Sequence, residues 1–170
     1  MTRRMLLVCM AISLAALGAP AVVQMQARLV YNPTDSVARG WYLIGPPVAL
    51  HVGSIVLVRL SPVVAAFAAQ RGYLPKGLPI LKRIGAVAPQ SVCVREQTVR
   101  IDGVAVATTL AHDGKHRTLR PWAQCRVLTQ GELFLLSDAH PASFDSRYFG
   151  LIDTSAVLGT AQPIWTGSAQ

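Results

Sequence analysis

Charge is what this sequence has least of. Only 14% of its 170 residues are Asp, Glu, Lys or Arg, against 52% hydrophobic. That balance excludes a disordered chain, which needs high charge and low hydrophobicity. Acidic residues are the scarcer sign, 8 against 16 basic, and the formal net charge is +8. The basic residues are scattered, with few aromatics between them, so they lack the footprint of a nucleic-acid binder. No nucleic-acid partner is expected; a basic surface beside anionic membrane lipid fits better. Cysteine is nearly absent, with Cys9, Cys93 and Cys125 alone. No histidine pairs accompany them, so their spacing does not describe a zinc site, and neither metal nor cofactor is expected. There is no internal repeat and no low-complexity tract.

Met5 to Val23 is an uncharged run of 19 residues. At helical rise it spans roughly 28 Å, close to a bilayer core. Arg3 and Arg4 precede it, which keeps the N-terminus in the cytoplasm and sends the rest of the chain outward. A cleaved signal peptide is the competing reading, with Ala19-Pro20-Ala21 as its small-x-small site. Pro20 weakens the last turn of an anchor helix. Both readings export the remainder. The expected organisation is therefore an anchor or signal segment over 1–27 and an exported domain over 28–170. Its place is the inner membrane with the domain on the periplasmic side, or the periplasm after cleavage. There the surroundings oxidise thiols, and a Cys93–Cys125 disulfide is expected, against two buried free thiols.

Short β-branched runs separated by turn residues predict a mostly β domain. Strands are predicted at Trp41–Ile44, Val52–Leu60, Ile80–Val87, Val92–Arg95 and Thr98–Ile101. Asp102-Gly103 then turns the chain into Val104–Ala107 as a hairpin. Cys125–Leu128, Glu132–Ser137 and Val157–Trp165 complete the set, the last interrupted by Gly159 and Pro163. One short helix is predicted over Pro62–Arg71, with proline at its start and Gly72 beyond its end. The apolar Tyr73–Pro79 loop either touches the membrane or packs over the core. His112–Pro121 reads as an exposed basic loop.

Two residues point to chemistry. Pro33 and Gly40 bracket a polar loop that carries Ser36 among turn-forming neighbours. Such a loop is either a plain surface turn or a rigid mount for a nucleophile. In the Ile80–Val87 strand, period-two alternation puts Lys82 on one face with Ile80 and Ile84. Lys82 is then either a lysine set in hydrocarbon or a charged guard on an edge strand. A serine hydroxyl attacks only when a base takes its proton. A lysine is that base only when neutral, and burial pulls its pKa down from about 10.4. Ser36 and Lys82 thus form a candidate Ser-Lys dyad. His140 and Asp145 offer a rival, a Ser36-His140-Asp145 triad.

Three segments jointly carry a resemblance: Asn32-Pro33-Thr34-Asp35-Ser36-Val37-Ala38-Arg39-Gly40, Leu81-Lys82-Arg83-Ile84, and Ser143-Phe144-Asp145-Ser146-Arg147-Tyr148-Phe149-Gly150. In order and spacing the chain resembles the signal peptidase I superfamily (peptidase family S26). Within it, the chain is most similar to the TraF-type branch of conjugal-transfer peptidases that mature pilin. The resemblance covers most of the chain and is weakest from about Val94 to Gln130. It implies a barrel-like β-sheet core with a smaller inserted β region at about 94–130. It implies Ser36 as nucleophile, Lys82 as general base, Ser143 as the hydroxyl that orients the lysine, and Thr34 as an oxyanion donor beside the Ser36 N–H. Asp145 and Arg147 are implied to brace the site. A pilin precursor or another exported preprotein is the implied substrate, with components of a type IV secretion apparatus as partners. A non-catalytic envelope component of that apparatus is the alternative. General signal peptidases carry Gly-Asp-Asn-Arg where this chain has Ser137-Asp138-Ala139-His140, a departure that favours the TraF-type branch over bulk preprotein processing.

Overall fold

The computed structural model describes residues 4–5, 7–10, 13, 29–137 and 140–167. Most of the expected anchor, the Ala19-Pro20-Ala21 site, and Asp138 and Ala139 lie outside them. Among the described residues, no helix is long and apolar enough to cross a membrane.

The fold is mostly β. A seven-stranded sheet runs in the order β1-β2-β11-β3-β4-β9-β10, and β7-β6-β5-β8 form a second sheet of four. The first contains β1 (Leu29–Asn32), β2 (Gly40–Gly45), β3 (Ile55–Val58), β4 (Ile80–Val87), β9 (Glu132–Leu135), β10 (Ile152–Asp153) and β11 (Val157–Thr166). The second contains β5 (Ser91–Arg95), β6 (Thr98–Ile101), β7 (Val104–Thr108) and β8 (Cys125–Val127). Among the described residues the pairings between these strands are antiparallel, which short connections permit.

The position of β4 decides the question about Lys82. It lies between β3 and β9, so it is no edge strand, and Lys82 is buried opposite Val56. The reason is on both faces of the strand. Ile84 joins a core with Val56, Val58, Leu133 and Leu135, while Leu81 joins another with Val37, Tyr42 and Leu57. Val37 is the apolar foot that holds the Ser36 loop against the second core.

Two of the strands were not predicted. β1 is a four-residue edge strand, and β10 has only two residues; neither offers enough alternation to read. The Val52–Leu60 strand is shorter than predicted. Gly53 has φ +91° and Ser54 N–H donates to the His51 carbonyl, so a turn fills its first residues. The helix α1 spans Pro62–Gln70, capped by the Ser61 hydroxyl on the Val64 N–H. Residues 112–121 are not simply exposed. Leu119 is buried, His112 bridges Thr118, and Arg117 donates to the Arg71 carbonyl. Tyr73 packs against Phe67 and Phe144, which places the start of the Tyr73–Pro79 loop over the domain, while Leu78 is exposed.

Cys93 and Cys125 face each other across β5 and β8 and form a disulfide. The bridge closes a loop of 32 residues. On the chain-entropy model it stabilises by about 4 kcal/mol.

Candidate active site

The loop after β1 is built around Asn32. Its side-chain amide donates to the carbonyls of Thr34 (2.8 Å), Val37 (2.9 Å) and Ala38 (3.2 Å). Its oxygen accepts from the Thr34 N–H at 3.2 Å and the Thr34 hydroxyl at 2.8 Å. An asparagine before a turn can satisfy several backbone groups at once, and here it fixes both flanks of Ser36. The Tyr42 hydroxyl adds a bond to the Ala38 carbonyl. Ser36 itself is buried, with its Oγ 3.1 Å from Thr34 Oγ1 and 3.4 Å from the Leu81 carbonyl. Its backbone N–H has no acceptor among the described residues.

Leu81 immediately precedes Lys82, so the serine loop and β4 meet at the site. Lys82 Nζ donates to Ser143 Oγ at 2.5 Å. No hydrogen bond joins Lys82 Nζ and Ser36 Oγ among the described residues. Both side chains line one groove of about 1170 Å³, together with Ser143, Leu60, Tyr73 and Phe144. Burial pushes the Lys82 amine down to about 8; Asp145 opposes this by favouring the ammonium, and Arg147 acts with the burial.

The helix α2 (Ser146–Phe149) begins at Asp145, which caps it through the Arg147 N–H. Asp145 and Arg147 are fully buried and paired, Arg147 Nε and one terminal nitrogen each 2.8 Å from a carboxylate oxygen. The remaining Arg147 N–H groups donate to the carbonyls of Thr108, Pro141 and Ser143. All five guanidinium donors are used. Asp145 accepts in addition from the Ser137 N–H at 3.0 Å. The pair is a brace with no donor or acceptor left over for Lys82, and it acts on the amine only through its field.

A model of the family described as signal peptidase, peptidase S26, matches residues 1–166. The chain belongs to that family. Among curated relatives, the conjugal transfer protein TraF of Agrobacterium tumefaciens (strain 15955) is 34% identical over 167 residues, covering 92% of this chain and 91% of the relative. A conjugal transfer protein TraF of Agrobacterium fabrum is 40% identical over 104 residues, covering 56% of this chain and 57% of that protein. A plasmid transfer protein TraF of Escherichia coli is 30% identical over 146 residues, covering 79% of this chain and 81% of the relative. A solved signal peptidase I of Enterococcus faecalis V583 superposes with TM-score 0.40 at 22% identity, over 66% of this chain and 96% of that one. Membership of the peptidase S26 family supports a peptidase-type function.

The predicted residues fall into three hydrogen-bonded pairs. Lys82 and Ser143 are bonded, Asp145 and Arg147 are bonded, and Ser36 and Thr34 sit together on the loop. The rival triad is not assembled. His140 is exposed, and its Nδ1 accepts from the Ala142 N–H rather than facing the buried Asp145. Thr34 departs from its implied role in one respect. Its hydroxyl hydrogen has Asn32 Oδ1 as acceptor, so it must rotate to meet an oxyanion.

Two residues of the site escaped sequence reasoning, Asn32 and Ser137. Asn32 left a signal, an asparagine directly before proline at a turn. Ser137 left none. Its hydroxyl donates to the Ser36 carbonyl at 2.8 Å across 101 residues of chain.

Proposed function

We propose that this protein is a membrane-associated Ser-Lys endopeptidase that matures a conjugative pilin precursor, with Ser36 as nucleophile and Lys82 as general base. The observation that carries it is a buried lysine with a lowered pKa, bonded to Ser143 and sharing a groove with Ser36. A neutral amine has two hydrogens and a lone pair. One hydrogen serves Ser143 Oγ, which turns the lone pair toward the groove. Once turned toward Ser36, Lys82 takes its hydroxyl proton, and Oγ attacks the carbonyl of a small residue in the precursor. The Ser36 N–H, unengaged among the described residues, stabilises the oxyanion, with Thr34 as a second donor; one such donor is worth roughly 3–4 kcal/mol. The lysine ammonium then gives its proton to the departing amine as the C–N bond breaks. Water resolves the acyl-enzyme to a cleaved product, or the substrate's own N-terminal amine resolves it to a cyclic one.

Membrane association is supported by one face of the sheet edge. Leu29, Tyr31, Trp41, Leu43 and Trp165 are all exposed, and the Tyr31 and Trp41 rings lie 5.2 Å apart. Register puts Leu29 beside Leu43 and Trp165 beside Trp41, directly after the expected anchor. Aromatics of this kind favour the headgroup level of a bilayer. The relatives' role in conjugal transfer supports the choice of a pilin over bulk preproteins. An apparatus of the type IV secretion class would be the assembly served.

The test is mass spectrometry of a pilin precursor co-expressed with the wild type, Ser36→Ala or Lys82→Ala. The wild type yields a mature product, and loss of one further water marks cyclisation. Each variant, folded as judged by circular dichroism, leaves the precursor intact, a loss of at least about a thousandfold. Processing by either folded variant overturns the dyad.

A further inference from the structure

We propose that Ser137 is a positioning residue for the nucleophile: its buried hydroxyl holds the Ser36 carbonyl and ties the serine loop to the segment that holds Lys82. The inference rests on reading Ser36 as the nucleophile and adds a residue which that reading does not contain. Ser137 follows β9 and is buried. Its Oγ donates to the Ser36 carbonyl at 2.8 Å, the only donor that carbonyl meets among the described residues. Its N–H donates to Asp145 Oδ2 at 3.0 Å. From there the bonds continue through Arg147 to the Ser143 carbonyl, and from the Ser143 hydroxyl to Lys82 Nζ. One connected set of hydrogen bonds thus joins the backbone of Ser36 to the amine of Lys82.

Asn32 fixes the flanks of the loop, at Thr34 before Ser36 and at Val37 and Ala38 after it. Nothing in that set touches the peptide of Ser36 itself. Ser137 does, and it fixes the direction in which the Ser36 residue faces the groove.

Because Ser137 acts on Ser36 and not on Lys82, its removal changes one quantity and spares another. Loss of register between reacting groups costs up to about a hundredfold in rate for about 1 Å. The experiment compares Ser137→Ala, Ser137→Gly and Ser137→Thr in the full-length protein in detergent, with a purified pilin precursor as substrate and Ser36→Ala as control. Ser137→Ala and Ser137→Gly are expected to lower kcat about ten- to a hundredfold per folded molecule, with KM and the midpoint of the pH–kcat profile unchanged. Ser137→Thr, which keeps the hydroxyl, restores most of the rate. A purely structural role would lower Tm and leave kcat per folded molecule alone, and that result overturns the inference. So does a shifted pH midpoint, which would place the effect on Lys82. Should Ser36→Ala process the precursor, the nucleophile assignment fails instead. Should Ser36→Ala be inactive while Ser137→Ala and Ser137→Gly match the wild type, only the Ser137 assignment fails. Should the alanine and glycine variants fail to fold, Ser137→Cys, which keeps the size of the side chain and weakens its donor, answers the same question.

Discussion

Taking an ammonium out of water disfavours the charged form, so burial in β4 lowers the Lys82 pKa from 10.5 to about 8. The same shift has a consequence for stability. Below pH 8 both folded and unfolded chains hold the proton, and the full penalty of burying it applies. Between pH 8 and 10.5 only the unfolded chain holds it, so stability rises with pH. Above 10.5 the penalty is gone. A shift of that size corresponds to about 3 kcal/mol. Lys82→Met removes the ionisable group and keeps the length of the side chain. The variant should be more stable than the wild type at pH 7 by up to about 3 kcal/mol, less whatever the Ser143 bond contributes. The difference should shrink between pH 8 and 10.5. Denaturant titrations at pH 7, 9 and 11 measure it, and a pH-independent difference would contradict the burial account. Sequence alone left Lys82 undecided between core and edge, because period-two alternation shows which residues share a face but not which face is covered. The covering residues, Val56 from β3 and Leu133 and Leu135 from β9, arrive from elsewhere in the chain.

Elements with strong local chemistry were the legible ones. β4 has the bounds its β-branched run predicts, and the Asp102-Gly103 turn has positive φ at both residues, as a two-residue hairpin favours. In β11 the two predicted interruptions are the two places where pairing shifts register, near Gly159 and Pro163. Here the sequence signal and the packing share a cause. Gly159 lies against Gly45 and Ile44 of β2, and a Cβ there would run into the Gly45 carbonyl and the Ile44 side chain. Gly159→Ala should therefore destabilise the domain by about 1–3 kcal/mol through overpacking. Urea unfolding checks this; an unchanged midpoint would mean that β2 and β11 have room to part. The site's longer links were not legible, for a different reason. Ser137 reaches the Ser36 carbonyl, and Arg147 reaches the Thr108 carbonyl, through backbone atoms that every residue possesses. No spacing of residue types records such a bond. The side-chain partners, Lys82 with Ser143 and Asp145 with Arg147, were expected from the family resemblance alone, whose motifs record residue identity.

At the scale of the whole molecule, the proposed function places two working regions on the seven-stranded sheet. One is the groove of Ser36 and Lys82, and the other is the exposed aromatic face of β1, β2 and β11. The chain leaves its N-terminal segment straight into β1, so that face and the expected anchor lie on the same stretch of chain. In vesicles with anionic lipid, tryptophan fluorescence of the full chain should be quenched by shallow lipid-borne quenchers. Trp165→Phe should remove most of the quenchable signal, since Trp165 is 75% exposed and Trp41 is 40% exposed. Quenching unchanged by that substitution would turn the face away from the bilayer. The disulfide of the second sheet suits an oxidising compartment, which agrees with export of the domain.

The central claim is that an uncharged Lys82 amine draws the proton from Ser36. Its most direct test is the single-turnover rate of pilin-precursor cleavage as a function of pH, in the wild type and in Lys82→Met. The account predicts a rate that rises with pH to a plateau, with a midpoint near 8, and no measurable turnover in Lys82→Met at any pH. A midpoint near the ordinary lysine value of 10.5, or cleavage that survives in Lys82→Met, would contradict it.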